Sequence, residues 1–322
     1  MKIAANILEL IGNTPLVYLN RVVPEKGARI AAKLESFNPG GSVKDRIGLG
    51  MIEDAIQRGV LKTGGTIIEP TSGNTGLGLA LVANIKGFKM IAVMPDKVPK
   101  EKIQLLEAVG TKCVVCPTDV DPEDPQSYYE TAKRLNRETP NSFLPQQYYN
   151  PWNPESHYRT TGPEIWRDTD GKIDVYVAGV GTGGTISGTA KFLKEKNPKV
   201  KVVGVDTVGS VIKGYFETKK IECSHPYLID GIGEDFIPGN IKFEYIDEII
   251  PISDKYAYDI TMRLAREESI LVGSSSGAAV AGAIEVAKRM KPDQLIVVLL
   301  PDTGTRYLSK LNNDWLKSKG LI

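Results

Sequence analysis

One lysine in this chain stands in a setting that suits covalent chemistry. Lys44 follows the segment Asn38-Pro39-Gly40-Gly41-Ser42-Val43, and a helix is predicted to begin near it. A lysine amine forms a Schiff base with an aldehyde only when it is neutral. Burial, a helix N-terminus or a cation such as Arg46 lowers its pKa toward that state. A solvated surface lysine is the alternative interpretation, because lysine side chains are seldom buried.

A second segment has the composition of a phosphate-binding loop. Val175-Tyr176-Val177 predicts a strand, Gly179-Val180-Gly181-Thr182-Gly183-Gly184-Thr185 predicts a glycine-rich turn, and a helix should start near Thr185. Glycines let backbone N–H groups approach an anion, and the helix adds the positive end of its dipole. Such turns also occur in dinucleotide-binding folds, where an acid such as Asp206 would bind ribose. We favour a turn or helix-cap role for Asp206, because a dinucleotide site gives the Lys44 segment no function.

Two further segments are rich in small polar side chains. Thr71-Ser72-Gly73-Asn74-Thr75 follows the predicted strand Thr66-Ile67-Ile68-Glu69, and Gly273-Ser274-Ser275-Ser276-Gly277 lies near the end of the chain. Hydroxyls and backbone donors at a helix start suit a carboxylate, although the same residues also serve as ordinary N-caps. An amine nucleophile, a phosphate cradle and a carboxylate-binding loop together indicate a protein that holds pyridoxal phosphate and acts on an amino acid.

The chain resembles the cysteine synthase and cystathionine β-synthase family of fold-type II pyridoxal-phosphate enzymes. The resemblance runs from Ile7-Leu8-Glu9-Leu10-Ile11-Gly12-Asn13-Thr14-Pro15-Leu16 over nearly the whole chain. Residues 117–129, residues 231–238 and residues 308–315 resemble the cystathionine β-synthase branch more closely. The piece Arg306-Tyr307-Leu308-Ser309 instead resembles the cysteine synthases.

The resemblance implies a role for each motif residue. Lys44 would form the Schiff base and act as acid and base at Cα, Asn74 would hydrogen-bond the ring hydroxyl, and Ser275 would face the pyridine nitrogen. The cofactor phosphate would be held by Gly181, Thr182, Gly183, Gly184 and Thr185. The substrate carboxylate would be bound by Thr71, Ser72, Thr75 and Gln147. The entrance for the second substrate would be lined by Tyr148, Gly231, Gly233, Glu234 and Asp235.

The reaction implied is β-replacement. L-serine or O-acetylserine would lose its β-substituent to give an aminoacrylate intermediate, and homocysteine would add to give cystathionine. A neutral Ser275 hydroxyl makes the pyridine ring a weaker electron sink, which favours β-elimination over transamination. Cysteine synthesis with sulfide is the main alternative. A serine or threonine dehydratase and a non-catalytic dinucleotide- or partner-binding relative are weaker ones. The resemblance also implies a homodimer, without the regulatory or haem-binding segments of longer relatives.

Composition narrows the classes of partner. The chain has 322 residues, 41% of them hydrophobic, and a formal net charge of +1. It can therefore bury a sizeable core, and its charge gives no case for binding nucleic acid or an anionic membrane. No apolar run reaches the length of a bilayer span, and no signal peptide is visible. We expect a cytoplasmic enzyme whose partners are small amino-acid and thiol substrates.

The three cysteines predict neither a disulfide framework nor a metal site. Few cysteines are typical of a reducing compartment. Cys113 and Cys116 lie in a predicted strand, where residues three apart point to opposite faces, so we interpret both as structural. Cys223 with the scattered His157 and His225 supplies too few ligands for zinc.

Strand-like and helical segments alternate, which predicts an α/β fold with mainly parallel sheets. The predicted strands are 66–69, 91–94, 114–115, 175–177, 201–205 and 295–300. The predicted helices are 47–58, 77–86, 100–109, 128–136, 257–267 and 278–290. The apolar run Leu295–Leu300 is typical of a strand covered on both faces, whereas the stretch Pro117–Pro125 reads as a loop.

The family fold implies two three-layer α/β/α domains of the tryptophan synthase β-like type. The large, cofactor-binding domain would comprise residues 1–44 and 151–322. Residues 45–150 would form a smaller, mobile, substrate-binding domain. The site is expected between the two domains, at the carboxyl ends of the strands.

Overall fold

The computed structural model describes residues 3–322, which fall into two compact units. The first unit comprises the segment ending at Ile11 together with Asn38–Asn153. The second comprises Gly12–Phe37 and Pro154–Ile322. The first unit thus consists of an amino-terminal segment and a longer segment that starts at Asn38. The assignment of 45–150 to a mobile substrate-binding domain stays a prediction.

Strands and helices alternate along the chain, as the sequence predicts. The strands are β1 (Leu16–Tyr18), β2 (Arg29–Leu34), β3 (Thr66–Pro70), β4 (Lys89–Pro95), β5 (Lys112–Cys116), β6 (Ser142–Phe143), β7 (Val175–Gly179), β8 (Lys201–Thr207), β9 (Glu248–Ile252) and β10 (Leu295–Leu300). The helices are α1 (Lys44–Gln57), α2 (Asn74–Lys86), α3 (Lys100–Ala108), α4 (Tyr128–Glu138), α5 (Trp152–Arg159), α6 (Thr161–Asp168), α7 (Gly184–Lys196), α8 (Ile212–Thr218), α9 (Asp254–Glu267), α10 (Ser274–Ala287) and α11 (Asn313–Ser318). Short 3-10 helices are Ile7–Leu10, Glu35–Phe37, Phe243–Tyr245 and Gly304–Lys310.

Each predicted strand and helix corresponds to an observed one, but several helices begin earlier than predicted. Helices α1, α2, α9 and α10 start three or four residues before the predicted position. Their first turns carry mostly polar or small residues, which lack the apolar periodicity that marks a helix in sequence. For α1, α2 and α10 these first turns are also the segments singled out for chemistry.

The sheet of the first unit is parallel, in the order β5-β4-β3-β6. On one face, Ile47 and Met51 of α1 and Leu79 of α2 join a buried cluster. A second cluster contains Ile68 of β3 and Ala132 of α4. Helices therefore cover both faces, which confirms the three-layer arrangement for this unit.

The sheet of the second unit has the order β1-β2-β10-β7-β8-β9. Only β1 pairs in the antiparallel sense, and every other pairing in this sheet is parallel. All six residues of β10 are buried, as the continuous apolar run Leu295–Leu300 predicts. Side chains of α9 and α10 share the main core cluster with alternate residues of β7, Val175 and Val177. The residue between them points to the opposite face, and α7 also contacts β7.

The two cysteines of β5 have structural surroundings. Cys113 adjoins the cluster that contains α1 and α2, and Cys116 is buried in the cluster that contains α4. The two thiols therefore lie on opposite faces of the strand, as predicted. Burial also raises the pKa of Cys113, which makes its thiol less reactive.

A buried ion-pair network joins α6 to β2 in the second unit. Lys33 has a fully buried side chain, and its Nζ lies 2.8 Å from Glu164 Oε2 and 3.5 Å from Asp168 Oδ2. The same ammonium donates to the carbonyl of Thr14 at 2.6 Å, and the Thr14 hydroxyl donates to Glu35 Oε1 at 2.7 Å. Three acceptors around one ammonium offset the loss of its hydration.

None of the helices within residues 3–322 combines the length and the apolar character that crossing a lipid bilayer requires.

Candidate active site

Lys44 is the first residue of α1. The helix therefore starts near Lys44, as its preceding turn indicates, although it starts three residues before the predicted helix 47–58. Its helix packs closely against α2 through glycines. A Cβ at Gly78 would lie 2.6 Å from the Lys44 carbonyl oxygen, and a Cβ at Gly48 would lie 2.6 Å from the Gly78 carbonyl carbon. Asn74 is the first residue of α2, one turn before Gly78. Two glycines therefore bring the start of α1, with Lys44, against the first turns of the helix that Asn74 begins.

The turn before Lys44 is held by backbone and side-chain contacts. The Gly41 N–H donates to the Asn38 carbonyl at 2.7 Å, and the Gly40 N–H donates to the Asp45 carboxylate. The Lys44 N–H reaches the Ser42 hydroxyl at 3.3 Å. Asp45 and Ser42 are buried, so the backbone that carries Lys44 is fixed from both sides.

The loop from Thr71 to Thr75 connects β3 to α2. The Thr71 hydroxyl accepts hydrogen bonds from the Gly73 N–H at 3.1 Å and the Gly76 N–H at 3.2 Å. Gly73 has a φ of +130°, a conformation that favours glycine. Thr71 thus stabilises the start of α2 from outside the helix, whereas the N-cap itself is Gly73 and not a serine, threonine or asparagine. Ser72 is exposed, and Asn74 is partly buried.

Two predicted carboxylate-binding residues meet in the structure. Thr75 Oγ1 donates to Gln147 Oε1 at 2.6 Å, although the two residues are 72 positions apart. Both side chains are buried. Tyr148 follows Gln147 and is partly buried. The first unit therefore gathers Lys44, Asn74 and Thr75 on two packed helices, with Gln147 bonded to one of them.

A buried carboxylate at the end of β3 holds the turn that carries Gln147. Glu69 Oε2 accepts from the Gln146 N–H at 2.8 Å, and Glu69 Oε1 accepts from the Gln147 N–H at 2.9 Å. Glu69 is fully buried. Gln146 has a φ of +57°, a left-handed conformation that residues other than glycine seldom adopt. The turn therefore depends on these contacts for its shape.

The ionisation of Glu69 predicts a pH dependence of stability. Burial raises the pKa of Glu69 from 4.5 to about 7, although the two backbone N–H groups oppose this shift. Because the folded protein then holds the proton more tightly than the unfolded chain, this contribution to stability is complete below pH 4.5 and is lost as the pH rises through about 7. We expect a loss of about 3 kcal/mol in the free energy of unfolding from this group.

Urea unfolding of the wild type and of Glu69→Gln, at about pH 5 and about pH 8, measures this loss. The wild type should lose stability relative to the variant as the pH rises. Equal pH dependences would contradict the assignment to Glu69.

The predicted phosphate-binding loop, called the phosphate loop below, lies between β7 and α7 in the second unit. Gly183 precedes α7 with a φ of +83°, and α7 begins at Gly184. The first N–H groups of a helix have no partner within it, so the residues at this end present donors with a positive dipole. A Cβ at Gly181 would lie 2.6 Å from the Gly231 carbonyl oxygen. A residue with a side chain would not fit there without displacing the loop 231–235.

The side chain of His157 contacts the end of this loop at Thr185. Its ring is fully buried, with Nδ1 2.9 Å from Thr161 Oγ1 and Nε2 3.2 Å from Thr185 Oγ1. The imidazole therefore bridges α6 to the first turn of α7. The structural interpretation of His157 holds, and the structure adds that one of its partners is a predicted phosphate ligand.

The loop 231–235 is anchored by two consecutive backbone N–H groups. The Gly233 N–H donates to the Val180 carbonyl at 2.9 Å, and the Glu234 N–H donates to the Ser210 hydroxyl at 3.1 Å. A Cβ at Gly231 would lie 3.9 Å from Ser275 Oγ. The second unit thus brings together the phosphate loop, the loop 231–235 and Ser275.

Acidic groups surround the loop 231–235. The pKa of Tyr227 is raised, first by burial and then by the charges of Glu234, Asp206, Asp235 and Asp254. A Cβ at Gly233 would contact the Tyr227 ring at 3.2 Å. A cation at this loop would therefore enter a region of negative potential.

Two local interpretations are decided by hydrogen bonds. Asp206 is buried, and its carboxylate accepts from the Thr207 N–H and the Lys213 N–H, both at 2.9 Å. Asp206 therefore supports the start of α8, which confirms its structural role.

The N-cap of α10 is Gly273, and Ser274, Ser275 and Ser276 are the first residues of this helix. A serine N-cap was the alternative for this segment, and it is wrong.

The residues present fit pyridoxal phosphate. One unit offers a lysine at a helix start beside an asparagine and a paired threonine and glutamine. The other offers a glycine cradle without room for side chains, a helix N-terminus and a buried serine hydroxyl. A family model described as "Pyridoxal-phosphate dependent enzyme" matches residues 7–302. The chain belongs to this family.

Similar proteins of known name agree with this assignment. A cystathionine beta-synthase of Dictyostelium discoideum is 46% identical over 318 residues, covering 98% of this chain and 64% of that protein. A probable cysteine synthase of Bacillus subtilis (strain 168) is 48% identical over 314 residues, covering 96% of this chain and 97% of that protein. The chain thus spans about two thirds of the Dictyostelium relative and nearly all of the Bacillus one.

Solved structures confirm the fold class. An O-acetylserine dependent cystathionine beta-synthase from Helicobacter pylori superposes with a TM-score of 0.88 at 39% identity, covering 96% of this chain and 99% of that chain. The predicted family, the fold-type II architecture and the cofactor are therefore confirmed. The roles of individual site residues stay predictions.

Sequence reasoning missed two residues that support the site. Glu69 was read only as the end of a strand, and His157 was assigned no contact with the phosphate loop. A charged residue in an apolar strand next to Pro70 and Thr71 is a signal that could have found Glu69, since a buried carboxylate requires partners. No comparable signal exists for His157, because its partner Thr185 lies 28 residues away in the chain.

Proposed function

We propose that the enzyme performs β-replacement on L-serine or O-acetylserine, with homocysteine as the second substrate and cystathionine as the product. The acidic surroundings of the loop 231–235 carry this choice of second substrate. The names of the Dictyostelium and Helicobacter relatives support the same activity.

The cofactor supplies an electrophilic aldehyde and an electron-accepting ring, and the chain supplies the groups that bind and move protons. Lys44 holds the cofactor covalently and then takes the proton from Cα of the amino acid. Thr75 and Gln147, with Thr71 and Ser72, bind the substrate carboxylate. Asn74 would hydrogen-bond the ring hydroxyl, and Ser275 would face the pyridine nitrogen. The phosphate is bound by Gly181, Thr182, Gly183, Gly184 and Thr185.

The second substrate is distinguished by its charge. Homocysteine carries an ammonium group, whereas hydrosulfide is an anion. Glu234 and Asp235 lie in the loop 231–235 beside Tyr227, whose pKa is raised first by burial and then by nearby negative charges that include these two carboxylates. This potential attracts an ammonium group and repels an anion. We propose that Glu234 receives the ammonium group of homocysteine, while Tyr148 and Asp235 line its path.

Glu234→Gln tests this assignment, because it removes the charge and keeps the shape. We expect the KM for homocysteine to rise by about tenfold, since a charge-assisted contact contributes about 1.5–3 kcal/mol. The rate with sulfide should stay unchanged or increase slightly. Steady-state kinetics with both thiols on the same preparations provide the measurement.

Glu217→Gln is the matched control, because Glu217 is an exposed glutamate of the same unit, paired with Lys213. It should leave both KM values unchanged. An unchanged homocysteine KM in Glu234→Gln would remove Glu234 from the site.

A cysteine synthase that uses sulfide is the second candidate. The Bacillus relative, 97% of which is covered, is named a probable cysteine synthase. The piece Arg306-Tyr307-Leu308-Ser309 also resembles the cysteine synthases. The dinucleotide-binding alternative has less support, because both oxygens of Asp206 accept backbone hydrogen bonds.

A paired assay distinguishes the candidates. Purified enzyme is given serine or O-acetylserine with either homocysteine or sulfide, and the products are identified. Cystathionine from homocysteine supports the proposal. Cysteine as the only product assigns the enzyme to the cysteine synthases, and pyruvate without thiol addition indicates a dehydratase.

We also propose that the enzyme is cytoplasmic and homodimeric. Fractionation of cells tests the compartment, and sedimentation of the pure enzyme tests the oligomeric state.

A further inference from the structure

We propose that Glu69 is a positioning residue, which fixes the Gln146–Gln147 turn so that the Gln147 side chain is presented to the carboxylate of the amino-acid substrate. This inference rests on the proposed function for the role of Gln147. Glu69 itself touches no substrate in this scheme.

Glu69 binds the turn through two hydrogen bonds to consecutive backbone N–H groups, an arrangement that we call the clamp. Each carboxylate oxygen of Glu69 accepts one backbone N–H, from Gln146 at 2.8 Å and from Gln147 at 2.9 Å. Above about pH 7, where Glu69 is ionised because its pKa is raised to about 7, hydrogen bonds to its charged oxygens are about twice as strong as bonds to neutral ones. Glu69 is fully buried, so solvent does not compete with the two donors. The clamp therefore determines the orientation of two consecutive peptide groups.

Other contacts fix the turn on its remaining sides. The Asn153 side chain donates to the Gln147 carbonyl at 2.7 Å, and the Asn150 side chain donates to the Pro145 carbonyl at 2.9 Å. The Gln147 side chain accepts from Thr75 Oγ1 at 2.6 Å. The backbone and the side chain of Gln147 are therefore both held in place. Among these contacts, the one to the backbone N–H group of Gln147 comes from Glu69.

The position of Glu69 in the chain links the clamp to the substrate loop. Glu69 lies near the end of β3, two residues before Thr71, whose hydroxyl organises the loop 71–76. One strand end thus controls two segments. It leads directly into the Thr71 loop, and through the Glu69 carboxylate it holds the Gln147 turn. Both segments are predicted to bind the same carboxylate, so the clamp sets their relative placement within the first unit.

Glu69→Gln tests the proposal. The amide nitrogen of glutamine takes the place of one carboxylate oxygen, so that a donor faces a backbone N–H group where an acceptor stood before. At about pH 8, we expect the KM for the amino-acid substrate to rise about tenfold and kcat to change by less than about threefold, because carboxylate binding is common to ground and transition states. Glu53→Gln is the matched control, since Glu53 is an exposed glutamate of the same unit paired with Lys86. It should leave KM unchanged.

A double-variant cycle separates positioning from a general loss of structure. If Glu69 acts through Gln147, then Glu69→Gln should add little to the KM of Gln147→Ala. Additive effects in the cycle, or an unchanged KM in Glu69→Gln, would overturn the proposal.

If Glu69→Gln does not fold, Glu69→Asp is used in its place, since aspartate keeps the charge and withdraws the carboxylate by one methylene. It too should raise KM with little change in kcat, and an unchanged KM would overturn the proposal.

Amide hydrogen exchange gives a readout that does not depend on turnover. Glu69→Gln should accelerate exchange at Gln146 and Gln147 by at least about tenfold, while amides of β10 keep their protection. Unchanged exchange at both amides would overturn the clamp. A wild-type enzyme without β-replacement activity would overturn the proposed function instead, and the exchange experiment would still decide whether the clamp exists.

Discussion

Replacing Lys44 with alanine should abolish covalent attachment of the cofactor and lower the rate of β-replacement by at least about 1,000-fold. The amine is both the covalent anchor and the base at Cα, and removal of a positioned base alone costs about 100- to 10,000-fold. The expected loss exceeds that of any other single substitution in the site. Absorption spectra of the purified variant, mass spectrometry after borohydride reduction, and product assays provide the measurements.

The control for this variant is Lys62→Ala. Lys62 is an exposed lysine of the same unit, five residues beyond the end of α1. It should keep the spectrum and the activity of the wild type. Appreciable β-replacement by Lys44→Ala would assign the Cα proton transfer to another group, whereas reduced cofactor trapped at a different lysine would overturn Lys44 as the anchor.

Lys33→Met should cost about 3–5 kcal/mol in the free energy of unfolding, which is the largest stability effect expected in the chain. The substitution keeps the length of the side chain and removes the ammonium that faces Glu164 and Asp168. The Glu164 side chain is only 7% exposed, so water cannot replace the lost cation. Urea unfolding followed by circular dichroism measures the change.

Two further variants make this prediction specific. Lys194→Met removes a lysine from the more exposed pair with Asp247 and should cost no more than about 1 kcal/mol. Lys33→Met combined with Glu164→Leu removes both charges and should recover much of the loss, because a buried pair is often replaceable by apolar residues. A Lys33→Met variant as stable as Lys194→Met would show that the network contributes little.

The predicted parts of the fold were those that local sequence specifies. Apolar runs and helical periodicity identified β10, β7 and the central helices because burial imposes those patterns on consecutive residues. The same patterns placed the starts of α1, α2, α9 and α10 too late, because the mostly polar or small residues of these first turns carry no apolar periodicity. The glycine-rich turn between β7 and α7 was nevertheless located from the sequence, because glycine there is required by backbone geometry.

The sequence by itself determined the chemistry available to this enzyme: a lysine at a helix start, a glycine-rich loop before α7, and hydroxyl residues at two further helix starts. Such motifs are short, and their backbone requirements are local, so they can be read without neighbours. Only the tertiary structure decided which groups meet across long stretches of chain. Thr75 bonds Gln147, Glu69 clamps the turn beside it, His157 supports Thr185, and Lys33 faces Glu164. These contacts join distant segments, and no local propensity encodes them, because each buried polar group acquires its partner only when the core closes around it.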